Sequence, residues 1–142
     1  MQLLHFCRRP RMPNNPAEGL TDIFWEQAQE SILVRPVCGS CDKSFFSPQV
    51  LCPNCQSDTW EYQKSSGEGT IYSYTVVHRP PDDSFPNPLI IADIELDEGW
   101  RMFSWIVKCD PNEFDIGSKV KAHFQNFAGT MLPVFTLSKG DQ

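Results

Sequence analysis

A chain of 142 residues with 40% apolar side chains, ten Phe and four Trp has the composition of a globular protein of one ordinary domain or two small ones. Its formal net charge of −6 argues against a duplex-DNA or RNA backbone partner, which needs a basic face, and against adhesion to an anionic membrane surface. No apolar run approaches the roughly 18 to 20 residues of a spanning helix, and in MQLLHFCRRPRMP the charges follow the apolar patch, the wrong order for a secretory signal; the reading is a soluble, cytoplasmic protein.

Residues 1–18 read as a tail: Pro10, Pro13 and Pro16 sit among Arg8, Arg9, Arg11, Asn14 and Asn15, which cannot build a core. Translation from Met1 or from Met12 fits equally well. LTDIFWEQAQESIL then predicts an amphipathic helix within 19–34, with Leu20, Ile23, Phe24 and Ala28 on one face and Asp22, Glu26, Gln29 and Glu30 elsewhere. Pro36 closes the helical option.

Residues 35–63 hold four of the six cysteines, as C-x2-C, ten residues, C-x2-C. Two such knuckles can bring Cys38, Cys41, Cys52 and Cys55 around one ion, and Zn2+ favours four soft thiolates in a closed site. Iron in a rubredoxin-like centre is the competing occupant. Catalytic zinc keeps a coordination position open, and four Cys leave none, so the ion is expected to be a structural staple. Cys7 and Cys109 stand alone, with no base at motif spacing, and His5, His78 and His123 are scattered.

From residue 64 the apolar period becomes two, with turn residues between the runs. GTIYSYTVVH (69–78) reads as a strand entered through Gly67 and Gly69, and RPPDDSFPNP (79–88) as a loop. LIIADIELDEG (89–99) alternates, Ile90, Ala92, Ile94 and Leu96 facing one way, and a turn at Asp97-Glu98-Gly99 leads into WRMFSWIVKC (100–109). DPNEFDIG reads as a short helical turn, followed by strands SKVKAHFQNF (118–127), with Val120, Ala122 and Phe124 inward, and MLPVFTLS (131–138). Five strands over 64–138, broken after the third, predict a small closed barrel of the OB type. The fold class is therefore mainly β: an N-terminal helix, a metal ribbon, then a five-stranded OB barrel.

The chain carries no G-x-S-x-G, H-E-x-x-H, P-loop or G-x-G-x-x-G motif, and no self-contained catalytic set. It does carry more large apolar side chains than one barrel face can bury. In WRMFSWIV, Trp100, Met102 and Ile106 oppose Phe103, Trp105 and Val107, and the adjacent pairs Phe24-Trp25 and Phe45-Phe46 cannot all point inward. These residues are candidates for a surface that meets a partner.

Taken together, FWE (24–26), the first C-x2-C pair, CPNC (52–55), SGEGTIYSYTVVHRP (66–80) and IELDEGWRM (94–102) resemble the rubredoxin-like zinc ribbon plus OB-fold proteins, acyl-CoA-associated small subunits long known as a domain of unknown function. The resemblance covers about residues 19–137. It implies an intact site at Cys38, Cys41, Cys52 and Cys55 and a non-catalytic companion of a thiolase-fold acyltransferase or aldolase, or of a hotdog-fold hydratase, in a hetero-oligomer. On this reading Phe24, Trp25, Phe45, Phe46, Tyr72, Tyr74, His78, Arg79 and Trp105 are the candidates to face the partner or its CoA entrance, with Arg79 the candidate phosphate contact. Single-stranded nucleic-acid binding, which OB barrels and zinc ribbons also serve, is the alternative, opposed by the acidic balance. An enzyme acting alone on acyl thioesters is the third reading.

Overall fold

The computed structural model describes residues 19–139; the expected tail, with His5 and Cys7, lies outside them. Seven strands and one helix follow in chain order: α1 (Asp22–Gln29), β1 (Val34–Cys38), β2 (Trp60–Lys64), β3 (Glu68–Val77), β4 (Leu89–Leu96), β5 (Trp100–Ile106), β6 (Lys119–Phe127) and β7 (Thr130–Leu137). The last five close a barrel in the order β3-β4-β5-β7-β6, as the alternation from residue 64 predicts. All pairs are antiparallel except β5 with β7, which meet at Ile106 and Phe135.

The helix is shorter than its periodicity suggests. Ser31 sits at φ 60, the Ile32 N–H donates to the Gln27 carbonyl at 2.9 Å and the Ser31 N–H to that of Ala28 at 3.0 Å. This is a Schellman stop, in which the left-handed residue is usually Gly. A serine in that place hides the stop from a sequence reader. Ser31→Gly is therefore expected to raise stability by about 1 kcal/mol, read as a higher denaturant midpoint at unchanged m-value. Within the helix, Phe24 and Ala28 are buried while Ile23, assigned to the same face, is 49% exposed.

Two strands in the cysteine segment are not apparent from its sequence. β1 and β2 pair antiparallel, from Val34 opposite Lys64 to Cys38 opposite Trp60, and form the base of the metal ribbon. Pro36 ends the helical option but still occupies β1, its carbonyl accepting from the Phe45 N–H at 3.1 Å. DPNEFDIG forms isolated turns rather than a helix, closed by Glu113 N–H to Asp110 C=O and Ser118 N–H to Asp115 C=O. These turns carry Phe114 beneath the barrel, 4.9 Å from the Tyr74 ring.

One apolar core joins the elements. Ile71, Ile90, Ala92, Ile94, Leu96, Trp100, Met102, Ile106, Val120 and Phe135 fill the barrel, and Phe24, Leu33 and Val34 from α1 and the ribbon base join them. Burying one large apolar side chain is worth roughly 1.5–3 kcal/mol, so this shared core fixes the ribbon on the barrel. Gly69 is required where β3 meets β4: a Cβ there would lie 2.4 Å from the Glu95 carbonyl oxygen.

Candidate metal centre and the aromatic groove beside it

The two knuckles are built alike. Cys38 N–H donates to the Lys43 carbonyl (3.0 Å) and Asp42 N–H to that of Cys38 (3.0 Å); Cys52 N–H donates to Ser57 (2.8 Å) and Gln56 N–H to Cys52 (2.8 Å). Asp42 and Gln56, each four residues after the first cysteine of its pair, are both left-handed, at φ 59 and 60. Each knuckle thus turns two thiols to the same side, and the β1–β2 pairing sets the knuckles face to face.

The four Sγ atoms lie within 4.8 Å of one another, with Cys38 to Cys55 at 3.5 Å and Cys41 to Cys52 at 3.8 Å. A tetrahedral ion with metal–sulfur bonds of about 2.3 Å requires sulfur–sulfur edges of roughly 3.8 Å, so the donor set fits a single ion. All four thiols are free. Their electrostatics also call for a cation. The N–H groups of Cys41 and Ser40 lower the Cys38 thiol to about 6. The Ser57 N–H pulls Cys55 down, but the neighbouring Cys38 sulfur and burial push it up to about 12. One thiolate in the cluster makes the next one costly until positive charge is present.

A small core backs the centre. Cys38 and Cys52 are buried with Phe45, which meets Trp60 edge-on at 5.7 Å; Trp60 Nε1 donates to the Val50 carbonyl at 3.3 Å. Phe45, expected to face a partner, is therefore corrected to a core residue, 7% exposed. It fills the space behind the thiolates, because so short a ribbon has little else to bury.

Phe46 points the other way and bridges ribbon to barrel, 5.4 Å from Phe24 and 5.6 Å from Trp100. A polar clamp reinforces this bridge. The Glu98 carboxylate accepts from Ser66 N–H (2.6 Å), Ser65 Oγ (3.0 Å) and Trp100 Nε1 (3.1 Å), and lies 4.0 Å from the Arg35 guanidinium. Arg35 in turn donates to Ser44 Oγ (2.9 Å) and to the Lys64 carbonyl. Burial opposes the Glu98 charge, but these donors outweigh it and hold its pKa below the ordinary glutamate value. Neither Arg35 nor Glu98 stands out in sequence, where DEG reads only as a turn. Tyr62 adds a tie from β2 to the start of the helix through its hydroxyl, which donates to the Leu20 carbonyl.

Beside the clamp lies an apolar groove of about 300 Å3 between α1 and the barrel, lined by Phe24, Trp25, Phe46, Met102, Phe103, Ser104, Trp105, Leu132, Pro133 and Val134. Four of the candidate residues, Phe24, Trp25, Phe46 and Trp105, meet here. Phe103, opposite the buried set in its strand, is the most exposed of the lining residues at 76%. The remaining candidates lie elsewhere. Tyr74 packs on Phe114, Tyr72 stacks under the Arg101 guanidinium at 4.2 Å, and His78 and Arg79 are exposed just beyond β3. The 79–88 loop folds Phe85 onto Trp105 (5.9 Å) and Phe127 (5.2 Å). Cys109 is half-buried, its thiol raised by burial and by Glu113 and Asp110, the opposite of an activated nucleophile. Among the described residues no helix is long and apolar enough to cross a membrane.

The chain matches two family models, the ChsH2 rubredoxin-like zinc ribbon domain over residues 25–61 and the ChsH2 C-terminal OB-fold domain over 62–125. It is 40% identical over 91 residues to a DUF35 domain-containing scaffold protein of Methanothermobacter thermautotrophicus, covering 62% of this chain and 68% of that one. It is 36% identical over 113 residues to a probable enoyl-CoA hydratase alpha subunit of Thermomonospora curvata, covering 79% of this chain but only 34% of the longer relative. A solved chain of the Ltp2-ChsH2(DUF35) aldolase superposes with a TM-score of 0.76 at 31% identity, covering 91% of this chain and 98% of that one. With the ribbon and barrel in the same order and the four cysteines in place, the chain belongs to the DUF35 family of ChsH2-type zinc ribbon and OB-fold proteins.

Proposed function

We propose that this chain is a non-catalytic accessory subunit of an acyl-CoA-processing enzyme, its partner a thiolase-fold acyltransferase or aldolase. The observation that carries this reading is the likeness over 98% of a ChsH2(DUF35) chain from an aldolase complex. The four-thiolate site supports it: a closed tetrahedron offers no position for substrate, so the resident ion, Zn2+ by the chemistry of four soft donors, stiffens the ribbon. The groove holding Trp25, Phe103 and Trp105 grips the catalytic subunit. The end of β3, with Tyr74, His78 and Arg79, lies at its CoA entrance, where Arg79 meets a phosphate.

A hydratase as partner is the second reading. It is favoured by likeness to two hydratase alpha subunits, those of Thermomonospora curvata and Mycobacterium tuberculosis, each about three times longer than the part matched here.

Trp25→Ala combined with Phe103→Ser tests the groove. Truncating two central aromatic anchors costs on the order of 4 kcal/mol in binding, so affinity for the partner should fall by about a thousandfold with metal content unchanged. Titration by calorimetry measures it, and wild-type affinity in the double variant would remove the groove from the interface.

A further inference from the structure

We propose that the cavity over the β6–β7 face of the barrel, where Lys108 meets His123, is an anion site that takes the phosphate group of a soluble small molecule. The inference stands apart from the choice of partner: this cavity shares no lining residue with the groove beside α1.

Charge is sorted unevenly over this acidic chain. Lys108, Lys119, Lys121 and Lys139 are four of its six lysines, and they lie on β6 or just beyond the ends of β5 and β7. The period-two alternation of β6 puts Lys119, Lys121 and His123 on one side, opposite buried Val120. Across the ladder Lys121 pairs with Thr136, and the Ser138 N–H donates to the Lys119 carbonyl at 2.9 Å. Thr136 and Ser138 therefore stand on the same face as the basic side chains.

Lys108 completes the site from a third direction. β7 lies between β5 and β6 in the barrel. Lys108, two residues past the end of β5 and left-handed at φ 60, reaches across β7 and brings its Nζ to 3.2 Å from His123 Nε2. An ammonium group only donates, so the imidazole accepts with its Nε2 lone pair. Two basic side chains thus meet with no counter-charge between them, and an anion placed there accepts from both.

Neighbouring carboxylates do not supply that anion. Glu113 lines the cavity, but its Oε2 accepts from the Asp110 N–H at 2.6 Å and is tied to its own loop. Among the described residues the ion pairs are Arg35–Glu98, Arg101–Asp93 and Lys121–Glu68, and Lys108, His123 and Lys139 take part in none of them.

The donor set selects the ligand. The cavity measures about 550 Å3, and Lys108, His123, Thr136, Ser138 and Lys139 all line it. Two ammonium groups, an imidazole and two hydroxyls can serve several oxygens at once. A carboxylate offers two oxygens and a single charge, whereas a phosphate monoester spreads nearly two charges over three oxygens. Lysines bind such a group as point charges. So compact a cluster suits a small molecule better than a nucleic-acid strand, which needs a basic track along its backbone.

The test titrates isotope-labelled, metal-loaded, full-length protein with inorganic phosphate at constant ionic strength, with acetate as control anion, and follows it by heteronuclear NMR. Phosphate should shift the Lys108, His123 and Thr136 signals to saturation, and acetate at the same concentrations should not. Lys108→Ala and His123→Gln should each weaken phosphate binding about tenfold, the loss of one hydrogen bond to a charged group. Lys108→Arg should preserve binding. Lys64→Ala, which removes the same charge from the ribbon base, should change it less than about twofold. ADP binding tighter than phosphate would assign the phosphate of a nucleotide, and equal affinities that of a free ion or short ester. A response to phosphate that never saturates, or equal losses in K64A and K108A, would overturn the site. A thymidine oligonucleotide binding tighter than ADP would overturn the small molecule as its ligand.

Discussion

Replacing Cys52 with alanine is expected to abolish metal binding and to melt the ribbon. Cys52 is buried at the head of the second knuckle, and its sulfur lies 3.8 Å from that of Cys41. The fold between β1 and β2 has a core of only three buried side chains, Cys38, Phe45 and Cys52. Metal binding supplies on the order of 10 kcal/mol to such a segment, more than any apolar contact within it. Because Leu33 and Val34 at the ribbon base also sit in the barrel core, the loss should spread to the barrel as a lower melting temperature. Metal analysis of the purified variant should find less than about a tenth of an ion per chain. Stoichiometric retention with wild-type melting would refute the four-thiolate centre.

Glu98→Ala is expected to cost about 3 kcal/mol of folding stability. It leaves Ser66 N–H, the buried Ser65 hydroxyl and Trp100 Nε1 without their acceptor, and Arg35 without its counter-charge. Hydrogen bonds to a charged group are worth about 1.5–3 kcal/mol each, and water reaching the opened site recovers part of the total. Chemical denaturation of the metal-loaded protein measures it; a loss below about 1 kcal/mol would mean that the shared core alone holds ribbon to barrel.

The same carboxylate gives a pH signature. Its native pKa lies below that of the unfolded chain, so its contribution is fully present above the unfolded value, about 4.3. It is lost as pH falls through the native value. The stability gap between wild type and Glu98→Gln should therefore be constant from pH 6 to 8 and close below about pH 4. A gap unchanged at acid pH would assign it to shape rather than charge.

Much of this structure was legible in the sequence because period-two alternation and thiolate spacing are local signals. Ile90, Ala92, Ile94 and Leu96 face the core as their alternation requires, and both C-x2-C pairs converge on one point. What escaped depends on contacts distant in sequence or on unusual residues in familiar places. Ser31 replaces glycine at the helix stop, so the helix reads too long. Strands β1 and β2 are irregular in composition and pair across the whole cysteine loop, a contact no local pattern reports. Arg35 and Glu98 meet across 63 positions, which no local pattern reports. Phe45 and Phe46 were alike as adjacent aromatics; the backbone turns one behind the thiolates and the other toward Trp100.

The central claim, an accessory subunit without chemistry of its own, is tested most directly by reconstitution. Acyl-CoA turnover is measured for the metal-loaded chain alone, for its catalytic partner alone and for the two together, with native mass spectrometry of the mixture. The account predicts no turnover by the chain alone, a stable hetero-oligomer, and at least a tenfold gain in partner activity or lifetime on adding the chain. Turnover of acyl-CoA by the purified chain, or a monomer that leaves every thiolase-fold and hydratase candidate unbound, would contradict it.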